Sequence, residues 1–361
     1  MPLGELTDPA VPAGFAAKLM AWQRRHGRHD LPWQGTRDPY RVCLSEVMLQ
    51  QTQVATVRAY YLRFLDVFPD LQSLAAAPLD DVLALWSGLG YYRRARHLHQ
   101  CAQAVVALHG GQFPRSSAAL MTLPGIGRST AAAIAAFCFD ERAAILDGNV
   151  KRVLTRVLGF ADDLAETRHE KRLWALAEAM LPARGVAVYT QGLMDLGASL
   201  CSAREPRCAE CPVKSLCVAR HQEQQADYPL KTRRVKRSRR SHSLLWLQRG
   251  ATLWLTQRPA NGVWAGLWSF PEFASNHALE TACAGWPGSA EWLAPFEHTL
   301  THVDWALAPC RWALPSRLGA ARLAAVEAAL AAHGAAGRWV TRDDALRLAL
   351  AAPIRKLIEN G

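Results

Sequence analysis

Leu123-Pro124-Gly125-Ile126-Gly127-Arg128-Ser129 separates one helical segment from a helix expected over Thr130–Phe139. Two glycines flank an isoleucine, so the backbone can turn tightly and approach another surface without Cβ interference. The N–H groups at the start of the following helix then point outward, where they suit a phosphate. Leu123, Gly125, Ile126 and Gly127 are therefore candidate nucleic-acid contacts. Gly-x-Gly between helices is usually only a turn. The Leu-Pro-Gly-Ile-Gly context, with a small-residue helix behind it, is more specific.

Outward from this turn, residues 15–200 carry apolar side chains at three- and four-residue spacing, broken by Pro and Gly. Val82, Leu83, Leu85 and Trp86 stop at Ser87-Gly88, and Leu173, Leu176, Ala177 and Met180 stop at Pro182. Strand signals are nearly absent, so the spacing predicts an all-helical domain of roughly eight to ten helices.

Two carboxylates stand out. Ile145-Leu146-Asp147-Gly148-Asn149-Val150-Lys151-Arg152 begins about twenty residues after the turn. Asp147 reads either as an N-cap or as a functional acid at the head of a helix. In Leu44-Ser45-Glu46-Val47-Met48-Leu49-Gln50-Gln51-Thr52-Gln53, Glu46 lies on an otherwise apolar helical face, with Val42, Leu49 and Val54 nearby by helical spacing. A carboxyl in apolar surroundings is more easily held protonated, as a general acid requires. Gln50, Gln51, Thr52 and Gln53 form a polar row that could enter a duplex and replace lost base contacts.

Cys201-x6-Cys208-x2-Cys211-x5-Cys217 gathers four thiols on one loop. Four soft ligands suit an iron–sulfur cluster or tetrahedral zinc. Zinc ribbons usually pair two Cys-x2-Cys knuckles across a longer gap, and only one such pair exists here. The asymmetric spacing favours a compact [4Fe–4S] cubane. Pro206 and Pro212 tighten the loop, and Arg204, Arg207 and Lys214 make its face basic.

The composition fits such a molecule. Of 361 residues, 50% are hydrophobic and 20% charged, with net charge +11, which favours a polyanionic partner. The longest central apolar run, Ala131 to Phe139, is too short to span a membrane, and no secretory signal is visible. A cytoplasmic location (nucleoid-associated if bacterial) is expected, with no membrane partner. Nine cysteines are then not expected to form a disulfide framework.

The domain boundaries expected are 1–221 for the helical domain with its cysteine loop, 222–241 for a linker, and 242–361 for a second domain. Seven basic residues lie between Lys231 and Arg240 with no acid among them, as in an exposed tether. Beyond it the period becomes two. Residues 243–247 and 252–256 flank Arg249-Gly250-Ala251 as a hairpin, and His302 to Leu307 forms another strand candidate. Helical patterns at Arg322–Ala332 and Asp343–Ala351 complete a small α+β domain.

These motifs, together with Gly88-Leu89-Gly90-Tyr91-Tyr92 and Met194-Asp195-Leu196-Gly197, occur in the order of the MutY-type adenine DNA glycosylases. The chain resembles that family over nearly its whole length. The resemblance implies a multi-domain fold: an all-α helix-hairpin-helix glycosylase domain with an Fe–S cluster loop, then a small α+β Nudix-like domain. It also implies a monomeric, monofunctional DNA N-glycosylase that removes adenine paired with 8-oxoguanine or guanine in duplex DNA. In that reading Glu46 is the general acid, Asp147 stabilises the sugar cation, and Asn149 helps position it. Gln51 and Tyr91 enter the base stack beside the lesion, and Trp33 and Gln191 line the adenine pocket. Bifunctional enzymes of the endonuclease III kind carry a Lys where Ser129 stands, which argues against an efficient strand-cutting lyase.

The Nudix resemblance rests on Gln257-Arg258-Pro259 and Gly262-Val263-Trp264-Ala265-Gly266-Leu267-Trp268-Ser269-Phe270-Pro271. A pyrophosphatase would next need a Glu-dense helix for magnesium. Between Glu272 and Trp286 only Glu272 and Glu280 occur. This domain therefore reads as a sensor of the base opposite adenine. Its Leu300-Thr301-His302 departs from the Phe-Ser-His common in the family, and these three are the candidate lesion contacts. Two other classes stay open: a Nudix hydrolase fused to a DNA-binding module, and a non-catalytic Fe–S DNA-binding protein.

Overall fold

The computed structural model describes residues 9–232 and 237–361. By contact, its described residues fall into two compact units. One is drawn from Met1–Ala76 and His97–Arg234, the other from Ala77–Arg96 and Val235–Gly361.

Eleven α-helices lie between Phe15 and Ser199: α1 (Phe15–His26), α2 (Pro39–Leu49), α3 (Val54–Val67), α4 (Leu71–Ala76), α5 (Leu79–Leu85), α6 (Arg93–His109), α7 (Ser117–Leu120), α8 (Arg128–Phe139), α9 (Gly148–Leu158), α10 (Thr167–Ala179) and α11 (Val186–Ser199). The count exceeds the sequence expectation because α4 and α7, of 6 and 4 residues, are too short to show a period. A further turn, α12 (Val218–His221), follows the cysteine loop.

Helix α8 is the hub of the first unit. Ala131 through Ala136 are all buried, so small side chains let α2, α7 and α11 pack closely round it. Asp140 ends the helix in the left-handed region. Helix α9 buries Val150, Val153, Leu154, Val157 and Leu158 against α11. Leu154→Ala would leave a cavity costing about 2–5 kcal/mol.

In the second unit β1 (Ser238–Arg249) and β2 (Thr252–Gln257) form the expected hairpin, with Arg249 opposite Thr252. Gly250 adopts φ 56°, as a tight hairpin turn needs. The remaining strands are β3 (Trp268–Ser269), β4 (Glu272–Phe273), β5 (Ser289–Trp292), β6 (Phe296–Thr299), β7 (Val303–Leu314) and β8 (Gly337–Thr341). The sheet runs β3-β2-β1-β7-β5, with β4 on β1, β6 on β7 and β8 on β2. Strands β1 and β7 are parallel from Ser238 opposite Val303 to Arg249 opposite Leu314. Helices α13 (Asn276–Ala282), α14 (Ala320–Ala332), α15 (Arg342–Arg347) and α16 (Ala352–Asn360) complete the unit.

Three expectations change. The stretch 222–232 is not a free tether. Leu230 accepts a hydrogen bond from the Leu164 amide, and Thr232 bonds Asp163, which ties it to the helical unit. At the other end of the basic block, Ser238 already begins β1, so Arg239 and Arg240 are strand residues with exposed side chains. Arg233, Arg234 and Lys236 lie outside the described residues. The helical pattern at Asp343–Ala351 breaks after Arg347, because Leu348 turns extended, and a separate amphipathic α16 begins at Ala352.

The third change is the place of Ala77–Arg96. This segment bonds to residues far along the chain: Asp80 receives hydrogen bonds from Gln257 Nε2 (3.2 Å) and Trp268 Nε1 (3.4 Å). The Ser87 hydroxyl donates to the Leu350 carbonyl at 2.9 Å. Such partners leave no mark on local periodicity, so sequence placed the segment with the helices around it.

Candidate active site

Glu46 lies on α2, which Asp38 caps by accepting from the Tyr40 amide, with Pro39 in its first turn. Beside it opens a cavity of about 610 Å³ in the helical unit, lined by Trp33, Val42, Glu46, Leu49, Val54 and Gln191 among others. Val42 and Leu49 share α2 with Glu46 as spacing expects, whereas α2 ends at Leu49 and Val54 lines the cavity from the start of α3. Trp33 is fixed edge-on against Tyr61, with ring centroids 5.4 Å apart. Burial, and then the charge of Asp147, push the Glu46 carboxyl up to about 8. Glu46 is thus protonated at neutral pH.

Asp147 is the N-cap that one sequence reading expected. It caps α9, its Oδ1 accepting from the Val150 amide at 2.8 Å, and it lies close enough to Glu46 to act on it electrostatically. Burial raises its pKa, opposed by the Val150 and Asn149 amides and by Arg152 and Lys151. The helix N-terminus favours the same anion. The Asp147 charge in turn helps hold the proton on Glu46.

Asn149 Oδ1 accepts from Arg152 Nη2 at 2.8 Å. Arg152 also donates to the carbonyls of Gly197 (2.7 Å) and Cys201 (2.8 Å). A Cβ at Gly197 would stand 2.8 Å from the Asn149 Cβ, so this glycine allows α11 to approach α9. Ser129 Oγ accepts from the Leu146 amide at 3.0 Å, tying α8 to the segment that delivers Asp147. Lys151, next along α9, is paired with Glu170.

Sequence reasoning missed Arg28 and gave Asp195 no role. Asp195, only 1% exposed, accepts from Arg28 Nε at 2.7 Å and from Gln191 Nε2 at 2.9 Å. It thereby orients two cavity-lining side chains. An Asp at the centre of an apolar helix face signals a buried charge that needs a partner; nothing marked Arg28.

At the turn, Leu123 and Ile126 are buried and Gly125 takes φ 75°, with a Cβ there 2.4 Å from His97 Cβ. Gly127 has no such constraint: a Cβ would meet nothing within 4 Å of this chain. Its open side and the first amides of α8 leave room for an approaching phosphate. Gln50 donates to Thr130 at 3.3 Å, while Gln51 is exposed at φ 57°, with Thr52 after it in the turn to α3.

Tyr91 and the Leu300-Thr301-His302 turn belong to the other unit. The turn closes with the Leu300 amide donating to the Val303 carbonyl at 2.8 Å. Thr301 and His302 are exposed, and the Thr301 and Tyr91 hydroxyls lie 3.3 Å apart. Glu272, one of two acids available for a metal, is instead paired with Arg258 and His242.

Cys201, Cys208, Cys211 and Cys217 line one enclosed pocket with Val153, Leu196 and Leu200. None of the nine cysteines is in a disulfide. Among the described residues, no three His, Cys, Asp or Glu side chains are grouped closely enough for a single metal ion. The donor set nonetheless fits a larger anionic cluster. Buried Arg156 donates to Cys201 Sγ at 3.4 Å, and Gln225 donates to Cys208 Sγ at 3.7 Å. Such N–H donors suit cluster thiolates.

Comparison with known proteins agrees with this geometry. Residues 44–179 match the family of HhH-GPD superfamily base excision DNA repair proteins, and residues 243–360 match the NUDIX domain. The adenine DNA glycosylase of Buchnera aphidicola subsp. Acyrthosiphon pisum (strain APS) is 39% identical over 259 residues, covering 72% of this chain and 74% of its own. The adenine DNA glycosylase of Homo sapiens is 34% identical over 362 residues, covering 82% and 66%. Among solved structures, a thermostable thymine-DNA glycosylase is similar with TM-score 0.52 and 30% identity, over 58% of this chain and 95% of its own. An endonuclease III in a non-covalent DNA complex, at TM-score 0.50 and 22% identity, covers 58% and 95% and shares the fold.

Proposed function

The chain belongs to the MutY-type adenine DNA glycosylases, and from this we propose that it excises adenine lying opposite 8-oxoguanine or guanine in duplex DNA. It is a DNA N-glycosylase of base-excision repair. The observation that carries the finer reading is Glu46, protonated in a cavity with Trp33 and Gln191 and coupled to an anionic neighbour.

The chemistry follows from that pairing. Adenine is a poor leaving group until a ring nitrogen is protonated, and an extruded adenine in the cavity would meet the Glu46 O–H. As the C1′–N9 bond breaks, its electrons leave with the protonated base and positive charge develops on the sugar. The Asp147 carboxylate stabilises that charge. Glu46, now ionised, takes a proton from the water that completes hydrolysis. Asn149 and Ser129 hold the Asp147 segment in register, and Trp33 and Gln191 shape the base pocket. Gln50, Gln51 and Thr52 of the helical unit would contact the separated strands, Tyr91 of the other unit would enter the base stack, and Leu123, Gly125, Ile126 and Gly127 would form the phosphate-holding turn.

The absence of a Lys at Ser129, with Lys151 engaged by Glu170, supports monofunctional chemistry without a Schiff base. Cys201, Cys208, Cys211 and Cys217 would hold one [4Fe–4S] cluster, which supplies structural cross-linking of the loop. The Nudix-like unit would read the lesion through Leu300, Thr301 and His302, and the enzyme would act as a monomer. Among the described residues no helix is long and apolar enough to cross a membrane. Release of free adenine from an A:8-oxoguanine duplex tests the reading. No release, with binding retained, would overturn it.

A further inference from the structure

Tyr91 is 46% exposed and stands at φ 49° between Gly90 at φ 77° and Tyr92. An aromatic side chain held out on a left-handed backbone is costly unless its surroundings fix it. The contacts that fix it lie within its own unit, some local and some far along the chain. At the tip, the Tyr91 hydroxyl shares a hydrogen bond with the Thr301 hydroxyl at 3.3 Å. Over its face lies the Arg94 guanidinium, 5.3 Å from the ring centroid.

At the base, the Leu350 carbonyl accepts from Ser87 Oγ (2.9 Å) and from the Tyr92 hydroxyl (3.2 Å). Arg355 Nε, on α16, donates to Ser87 Oγ at 3.3 Å. The Tyr92 hydroxyl in turn accepts from the Gly88 amide at 3.2 Å. The Gly90 carbonyl is held locally by Trp86 and Arg94, while Ser87, Tyr91 and Tyr92 bond to residues 210 to 268 positions later in the chain.

We propose that Thr301, Leu350 and Arg355 are positioning residues for Tyr91, so that the stacking wedge and the lesion-reading turn work as one device. This rests on the reading of Tyr91 as a wedge. It differs from a direct-contact role for Thr301: here Thr301 acts through the Tyr91 hydroxyl, and C-terminal residues outside the turn matter too.

The test is a double-mutant cycle in the full chain, reading the ratio of single-turnover adenine release from A:8-oxoguanine over A:G duplexes. Tyr91→Phe and Thr301→Val each remove one hydroxyl at nearly constant shape. Each is expected to lower the ratio about two- to ten-fold, the size of one exposed-to-partly-buried hydrogen bond, with the double variant no worse than either. Thr301→Ser, which keeps the hydroxyl, should restore it. Arg355→Ala should lower the ratio in the same direction and reduce the fluorescence change of 2-aminopurine placed beside the 8-oxoguanine, a stacking signal that Tyr91→Ala abolishes. A silent Tyr91→Phe beside an impaired Thr301→Val overturns the proposal in favour of direct lesion contact, as do additive effects or an Arg355→Ala with normal fluorescence. A wild-type chain with no preference between the two duplexes would instead sink the lesion-reading function itself.

Discussion

Burial favours the neutral form in both pockets of the helical unit, with opposite consequences. Around Glu46 it raises a carboxyl to about 8, and the protonated state it favours is the state an acid needs. Around the cysteine loop it raises thiols, Cys211 to about 11, although thiolates are what a metal cluster binds. The cysteine pocket is lined by sulfurs and N–H donors, and the charge of the proposed cluster would reverse the preference for neutral thiols. The same desolvation thus favours the proposed acid in one place and opposes the ligand form of the thiols in the other.

Removing the acid breaks the first side of this contrast most severely. Glu46→Gln keeps shape and burial but cannot donate a carboxyl proton, so single-turnover adenine release should fall by about 10²–10⁴-fold while duplex binding persists. Equal loss of binding would make Glu46 a structural residue. Asp147→Asn comes next. Asn caps a helix about as well as Asp, so α9 should stay capped while the charge is lost. Release should drop roughly 10²–10³-fold, with the melting temperature nearly unchanged. Near-normal turnover would leave Asp147 with only its cap.

The pH profile probes the same pair without substitution. With Glu46 near 8, single-turnover release should be flat around neutrality and lose about tenfold per pH unit well above 8. An alkaline limb unchanged in Glu46→Asp or absent altogether would separate the acid role from the pKa.

The other pocket is sharpened by metal analysis. Protein purified without oxygen should carry about four irons and little zinc per chain, and Cys208→Ser should lower iron content and melting temperature together. One zinc per chain would refute the cluster.

How much of this was legible depends on the distance over which each feature is determined. Glu46 with Val42 and Leu49 was readable because one helix places them by spacing alone, and Asp147 as a cap because capping is local; Val54 reaches the cavity from the next helix, which spacing does not determine. The β1–β2 hairpin was readable from alternation around Gly250. Arg28 with Asp195, separated by 167 positions, was not. Nor was the allegiance of Ala77–Arg96 to the sheet-containing unit, set by Asp80, Ser87 and Tyr92 reaching partners far downstream. Strands of two residues such as β3 and β4 also escape, since alternation needs more length to declare itself.

The smallest effect expected is on stability, and its sign distinguishes the two pockets again. Unfolded, Glu46 titrates near its ordinary value of 4.5; folded, near 8. Below 4.5 both states hold the proton and Glu46 adds no pH dependence. Between 4.5 and 8 the unfolded chain releases a proton that the folded chain keeps, so folding becomes steadily less favourable as pH rises, and above 8 the full penalty applies. Glu46→Gln removes this penalty. The variant should therefore be more stable than the parent by about 1–3 kcal/mol at pH 8, with the gain nearly gone at pH 5. Chemical denaturation of both proteins at the two pH values measures the difference. A gain that is equal at both, or a loss at pH 8, would show that the carboxyl is not held protonated by its pocket and that the apolar wall around Glu46 is too open to set its charge.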